Sequence, residues 1–288
     1  MKKLIQIFII TILICAMSLT AYADMGPKPS VHVDFINAPD ELFYGTLLSL
    51  HDSTGPASAW DGTSPYSHWA YGEAGYETWK KFVEYEDTDG FWFLQEWWEC
   101  SGQNPLRWTY YPPVQFKILL YFPDSDTFCV SPIYERYAFD SYFMADLADW
   151  ESGTIAAEKS YDYTQESVNL VVRIVLTIIL ELMIAWFFGL RQKRVLAFLA
   201  GVNLVTQIGL NVALNVINYK SGQMAFTTSF IGLELVVLAV EVVLYTMFLH
   251  RISSNPDLRA KSAVYAVVAN VASFAAGLGL AHLIPGIF

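Results

Sequence analysis

Residues 168–190 read VNLVVRIVLTIILELMIAWFFGL. A run of that length with one arginine and one glutamate is enough to cross a bilayer, which takes about 20 predominantly apolar residues. Three comparable runs follow at 195–217, 226–250 and 263–288, separated by short polar connections. Short connections force sequential helices to lie side by side in alternating directions. The pattern over 167–288 therefore predicts an antiparallel four-helix transmembrane bundle.

Basic residues orient it. Arg191, Lys193 and Arg194 fill the first connection and Arg251, Arg259 and Lys261 the third, whereas the second holds only Lys220. Cytoplasmic loops carry the excess of Lys and Arg, so the first helix is expected to enter from outside. The N-terminus agrees. Lys2 and Lys3 precede an apolar stretch, and Ala21-Tyr22-Ala23 supplies small residues at the −3 and −1 positions, the pattern of a signal peptide over 1–23. Ile14 stands where a lipoprotein reading of Cys15 needs a small residue. Residues 24–166 are then an extracytoplasmic domain, and the expected location is the cell membrane, multi-pass.

Charge divides the chain in the same place. Residues 24–166 hold 24 acidic and 7 basic side chains, and 167–288 hold 4 and 8. The net charge of −11 removes nucleic acid from the expected partners, because phosphates need a basic face. The expected partners are the lipid bilayer, a small cation or polar ligand, or another membrane protein. No cofactor is implied.

Polar groups inside the spans carry the most information: Arg173, Glu181, Asn203, Gln207, Asn211, Asn215, Glu234, Glu241 and Asn270. A charge at mid-membrane costs about 2.5–3.5 kcal/mol on insertion scales. At about 1.5 Å rise per residue, Glu181, Glu241, Asn203 and Asn270 share one level near the midplane. Arg173, Asn211 and Glu234 share a second level nearer the outside, where Arg173 is the expected partner of Glu234. Asn203, Gln207 and Asn211 step by four along one helix side, and Glu234 and Glu241, seven apart, are nearly eclipsed. Two carboxylates on one level with no fixed cation cannot both ionise cheaply. Such groups are either interhelical glue or a site for a cation, a proton or a polar substrate. His282 is expected to be interfacial.

The exported part reads as a β-rich sandwich with a helical insertion. Val31, Val33 and Phe35 alternate as a strand, and 42–50, 115–122, 128–130 and 139–147 are further strands. In the clearest of them Phe116, Ile118, Leu120 and Phe122 share a face. Residues 75–87 form an amphipathic helix with Trp79, Phe82 and Val83 inward, and 91–98 an aromatic strand. Cys100 and Cys129 are either a disulfide or two isolated small hydrophobic residues. Aromatic side chains number 31 in 24–166, and Trp60, Trp69, Trp92, Trp97, Trp98 and Trp108 offer faces for sugar rings. Asp87, Asp89, Gly90 and Glu96 match part of a calcium loop, but Tyr85 replaces its first ligand.

The runs ADMGPKPS (23–30), FKILLYFP (116–123) and YAFDSYF (137–143) resemble a group of uncharacterised Gram-positive membrane proteins with an exported domain followed by several spans. The resemblance implies that architecture and a bacterial cell membrane, and no activity.

No zinc-binding HExxH, GxSxG elbow, phosphate-cradling glycine loop or metal-spaced CxxC is present. His32, His51 and His68 have no nucleophile near them in sequence. The expected function is extracytoplasmic ligand or partner binding, or sensing, by a non-enzymatic membrane protein. The alternative is a transporter or an ion- or proton-coupled protein that uses Glu181, Glu234 and Glu241.

Overall fold

The computed structural model describes residues 26–63, 71–253 and 258–283. The expected signal peptide at 1–23, His68, Trp69 and the side chain of His282 lie outside the described residues. Residues Pro27–Tyr161 form one compact unit, and the helices from Asp162 onward belong to the other.

The first unit contains strands β1 (Ser30–Ile36), β2 (Phe43–Ser49), β3 (Ser53–Thr54) and β4 (Ala57–Ser58), then helix α1 (Tyr76–Glu84). There follow β5 (Trp98–Cys100), β6 (Leu106–Trp108), β7 (Gln115–Phe122), β8 (Thr127–Val130), β9 (Tyr134–Glu135), β10 (Asp140–Asp146) and β11 (Ala156–Lys159). One sheet has the order β11-β10-β1-β6, with β1 parallel to β10 and antiparallel to β6. The second has the order β5-β2-β7-β8, with β9 also on β7, and β3 and β4 form a small separate hairpin. Alternation explains the packing. Val31, Val33 and Phe35 of β1 are buried together with Phe116, Ile118, Leu120 and Phe122 of β7, so those residues do share the core face. The other face of β7 is covered as well: Leu119 and Tyr121 pack with Leu48 of β2 and with Trp79 and Phe82 of α1. A strand buried on both faces reads as a continuous apolar run, which is what 118–122 is.

The aromatic strand expected over 91–98 does not form. Trp92 makes an isolated bridge to Ser49, and regular pairing resumes only at Trp98. Gln95 causes the break. Its backbone takes a left-handed φ of 64°, and its side chain accepts from Trp79 Nε1 at 3.2 Å and donates to the Ser58 carbonyl at 3.1 Å. That buried amide is worth more as a tie between segments than as a strand residue.

Cys100 and Cys129 are both buried free thiols. The disulfide alternative fails on register. Cys100 lies opposite Phe43, Cys129 opposite Leu120, and β2 and β7 separate their strands. Three strand spacings are about 14 Å, twice the Cα separation of about 7 Å that a disulfide tolerates. Burial pushes the Cys100 thiol up to about 12 and the Cys129 thiol up to about 11. Both should resist iodoacetamide in the native chain and react after denaturation, read by mass spectrometry. Reductant should leave the unfolding temperature unchanged.

The second unit contains α2 (Tyr163–Phe187), α3 (Lys193–Ile252) and α4 (Leu258–Leu283). Among the described residues two of these are long and apolar enough to cross a membrane: α2 from Glu166, and α3. Sixty residues of straight helix would run about 90 Å, yet Thr206 and Glu241, 35 residues apart, are hydrogen-bonded at 2.7 Å. The chain turns back at Gly222, the non-helical residue inside α3, with φ 80° and ψ 177°. Leu210 and Leu214 before the bend pack with Phe226 and Phe230 after it. The connection expected between 217 and 226 is therefore helical up to that single residue and again beyond it. This backbone region is essentially glycine-only, with a cost of about 1–3 kcal/mol for other residues. Gly222→Ala should lower the stability of the helical hairpin by that amount, read as an earlier midpoint when the full chain is titrated with sodium dodecyl sulfate.

Candidate functional site

The polar residues of the helical unit converge. Glu181, Asn203 and Glu241 are wholly buried, and Arg173, Gln207, Asn211 and Asn270 nearly so. Each helical segment supplies at least one of them: α2 Glu181, the first arm of α3 Asn203, its second arm Glu241, and α4 Asn270. The four residues expected on one level do share it. Glu241 Oε1 accepts from Thr206 Oγ1 at 2.7 Å and Oε2 from Asn270 Nδ2 at 2.8 Å. Ser273, one turn from Asn270, donates to Glu181 Oε1 at 3.3 Å. Tyr265 Oη donates to the Glu181 carbonyl at 3.2 Å.

The two carboxylates are not equally provided for. Both oxygens of Glu241 have a donor. Glu181 Oε2 has no hydrogen-bond partner among the described residues, and neither do both amide atoms of Asn203, the Asn270 carbonyl oxygen or Tyr245 Oη. Asn203 approaches Glu181, and Tyr245 approaches Glu241, without reaching hydrogen-bond geometry. Buried polar groups are normally paired, and each orphan costs about 1–3 kcal/mol. Of these five orphaned atoms three are acceptors (Glu181 Oε2, Asn203 Oδ1 and Asn270 Oδ1), one is an amide donor and one a hydroxyl, and among the described residues no positive charge is bonded to either carboxylate.

Beside the carboxylates the helices are tightly apolar: Ala185, Leu190, Val195, Leu199, Tyr245, Leu249, Tyr265, Ala266 and Ala269 form one cluster. The other level is an amide chain. Arg173 Nη1 donates to Asn211 Oδ1 at 3.4 Å, and Asn211 Nδ2 donates to the Gln207 carbonyl at 2.8 Å and Oε1 at 3.3 Å. Arg173 thus meets Asn211 where Glu234 was expected. Glu234 is half-buried. Asn215 is also half-buried.

Sequence reasoning missed Thr206, Ser273, Tyr245 and Tyr265. The signal for the first three was helical spacing, because each lies three or four residues from a named polar residue and so on the same face. Tyr265 has no such mark.

In the sandwich unit the partial calcium-loop match is occupied by a lysine. Lys117 Nζ lies 2.8 Å from Asp87 Oδ1 and 2.5 Å from Asp89 Oδ2. The Lys117 and Asp87 side chains are only 4% and 1% exposed, so their charges are paired away from water. Among the described residues no three His, Cys, Asp or Glu side chains group closely enough to hold a metal ion. No protein-family model, curated protein or solved structure matches the chain.

Proposed function

We propose that this chain is a multi-pass cell-membrane protein, with an extracytoplasmic β-sandwich followed by four spans, whose helices bind a proton or a small hard cation between Glu181 and Glu241. The membrane reading is supported by the length and apolarity of α2 and α3 and by outward-facing Val171, Val175, Ile179, Val205, Val212 and Val243, all exposed although apolar. With the reversal at Gly222, α3 supplies two spans and the helical unit four. The single observation behind the ion-coupled reading is the set of orphaned acceptors around two fully buried carboxylates. Glue alone is served by neutral amides and hydroxyls. Carboxylates at this depth are costly unless a positive charge answers them. Carboxylate and amide oxygens are the ligands that hard cations take, and a proton shared with an amide oxygen satisfies the same groups.

Linkage tests it. A ligand that binds only the folded state at 100 times its Kd stabilises that state by about 2.7 kcal/mol. The full chain in lipid nanodiscs should show saturable stabilisation of its helices by acidification or by one of sodium, potassium, magnesium or calcium at constant ionic strength. Stability that is flat in every such titration removes the reading.

A further inference from the structure

Beside α1 lies a cavity of about 440 Å³, lined by Trp60, Tyr85, Glu86, Phe91 and Trp92 among others. That is within the usual range for a small-ligand site, about 300–1,000 Å³. Two of its walls are tryptophans that the fold leaves open: Trp60 is 39% and Trp92 50% exposed, whereas Trp79 and Trp108 are buried. Of the other tryptophans read from sequence as sugar platforms, Trp97, Trp98 and Trp108 are used for packing. Trp98 and Trp108 rings contact each other at 5.3 Å, and Trp97 stands edge-on to Tyr44 at 5.0 Å.

The Trp60 ring and the Trp92 backbone are both held in place. Trp60 packs edge-on against Trp79 at 5.5 Å, and Trp79 is itself held by Gln95. Trp92 exchanges two backbone hydrogen bonds with Ser49, at 2.7 and 2.8 Å. Fixed, solvent-open indoles lose little conformational entropy when a ligand stacks on them.

We propose that this cavity binds a neutral saccharide. The indole faces take the apolar C–H face of a pyranose ring, and the Glu86 carboxylate is the acceptor available for its hydroxyls. Charge narrows the class. An anion meets Glu86 in a domain with a large acidic surplus. For a cation, Asp87 is already paired with Lys117, whose ammonium stands 5.3 Å from the Phe91 ring in the cavity wall. The site is separate from the buried carboxylates of the helices and does not rest on the ion-binding reading.

The experiment is titration of the full chain in detergent with chitotetraose, cellotetraose, maltotetraose and choline chloride, followed by calorimetry and tryptophan fluorescence. At least one oligosaccharide is expected to bind saturably, with affinity about tenfold lower in Trp60→Ala and in Trp92→Ala. Trp92→Phe, which keeps a ring, should lose less, and it carries the test if Trp60→Ala does not fold. Binding by none of the saccharides, binding of choline alone, or saccharide binding unchanged in both alanine variants would overturn the proposal.

Discussion

Glu181→Gln is expected to fold at least as stably as the parent and to lose ion- or proton-linked stabilisation altogether. The reason is the unequal hydrogen bonding of the two carboxylates. Among the described residues no donor is hydrogen-bonded to Glu181 Oε2, so a glutamine there displaces no hydrogen bond at that atom and removes a buried charge that no cation answers. Replacing a buried, unanswered carboxylate by a neutral isostere is neutral or stabilising. Glu241→Gln should behave differently. Its oxygens already accept from Thr206 and Asn270, so an added amide donor must confront one of those donors, at a cost of about 1–3 kcal/mol. Both variants lose the charge that a cation needs, whereas Glu234→Gln, outside the hydrogen-bonded centre, should keep the linkage. The measurement is detergent unfolding of the full chain in the presence and absence of the stabilising ion or pH. If either central glutamine variant responds as the parent does, the carboxylates are structural and the ion-coupled reading falls.

Lys117→Met should cost the sandwich about 3–5 kcal/mol, the usual penalty for leaving a buried charge without its partner. Asp87 would keep only the backbone N–H groups of Asp89 and Phe91, at 3.0 and 3.2 Å. Burial by itself would lower the Lys117 ammonium, but the hydrogen bonds it donates to Asp87 and Asp89 outweigh it and hold the group above its ordinary 10.5. Its contribution is therefore complete below the unfolded value and lost only as pH rises through the folded one, so the penalty should be flat from mildly acidic to mildly alkaline pH. Adding Asp87→Asn should recover much of the loss, because the buried charge goes with its partner. Eight of the nine tryptophans lie in this unit and Trp186 alone in the helices, so urea titration of the full chain by tryptophan fluorescence reads the sandwich. A loss under about 1 kcal/mol would mean that Asp87 is reached by water, which its 1% exposure denies.

Most of the sandwich was legible because its strands either alternate, as β1 and β10 do, or run continuously apolar, as β7 does: β1, β2, β7, β8 and β10 fall within a residue or two of the expected runs. The segment 91–98 was not, because aromatic composition favours a strand while one buried amide at Gln95 favours a turn, and only packing decides between them. The shared level of Glu181, Asn203, Glu241 and Asn270 was readable from helix rise alone. The neighbour of Arg173 was not, since rise places a residue by height and leaves its azimuth to the way the helices pack.

Composition and periodicity by themselves determined that this chain divides into an acidic, aromatic β-rich part and an apolar helical part with carboxylates and amides at mid-length. Those properties are local, set by transfer free energy and by the two side-chain periods of 2 and about 3.6 residues. The tertiary structure decided what those groups meet. It alone separates Cys100 from Cys129 by two strands, seats Lys117 between Asp87 and Asp89, and leaves Glu181 with an unanswered oxygen. Each outcome depends on side chains brought together across long stretches of chain, and no spacing along one segment encodes such a meeting.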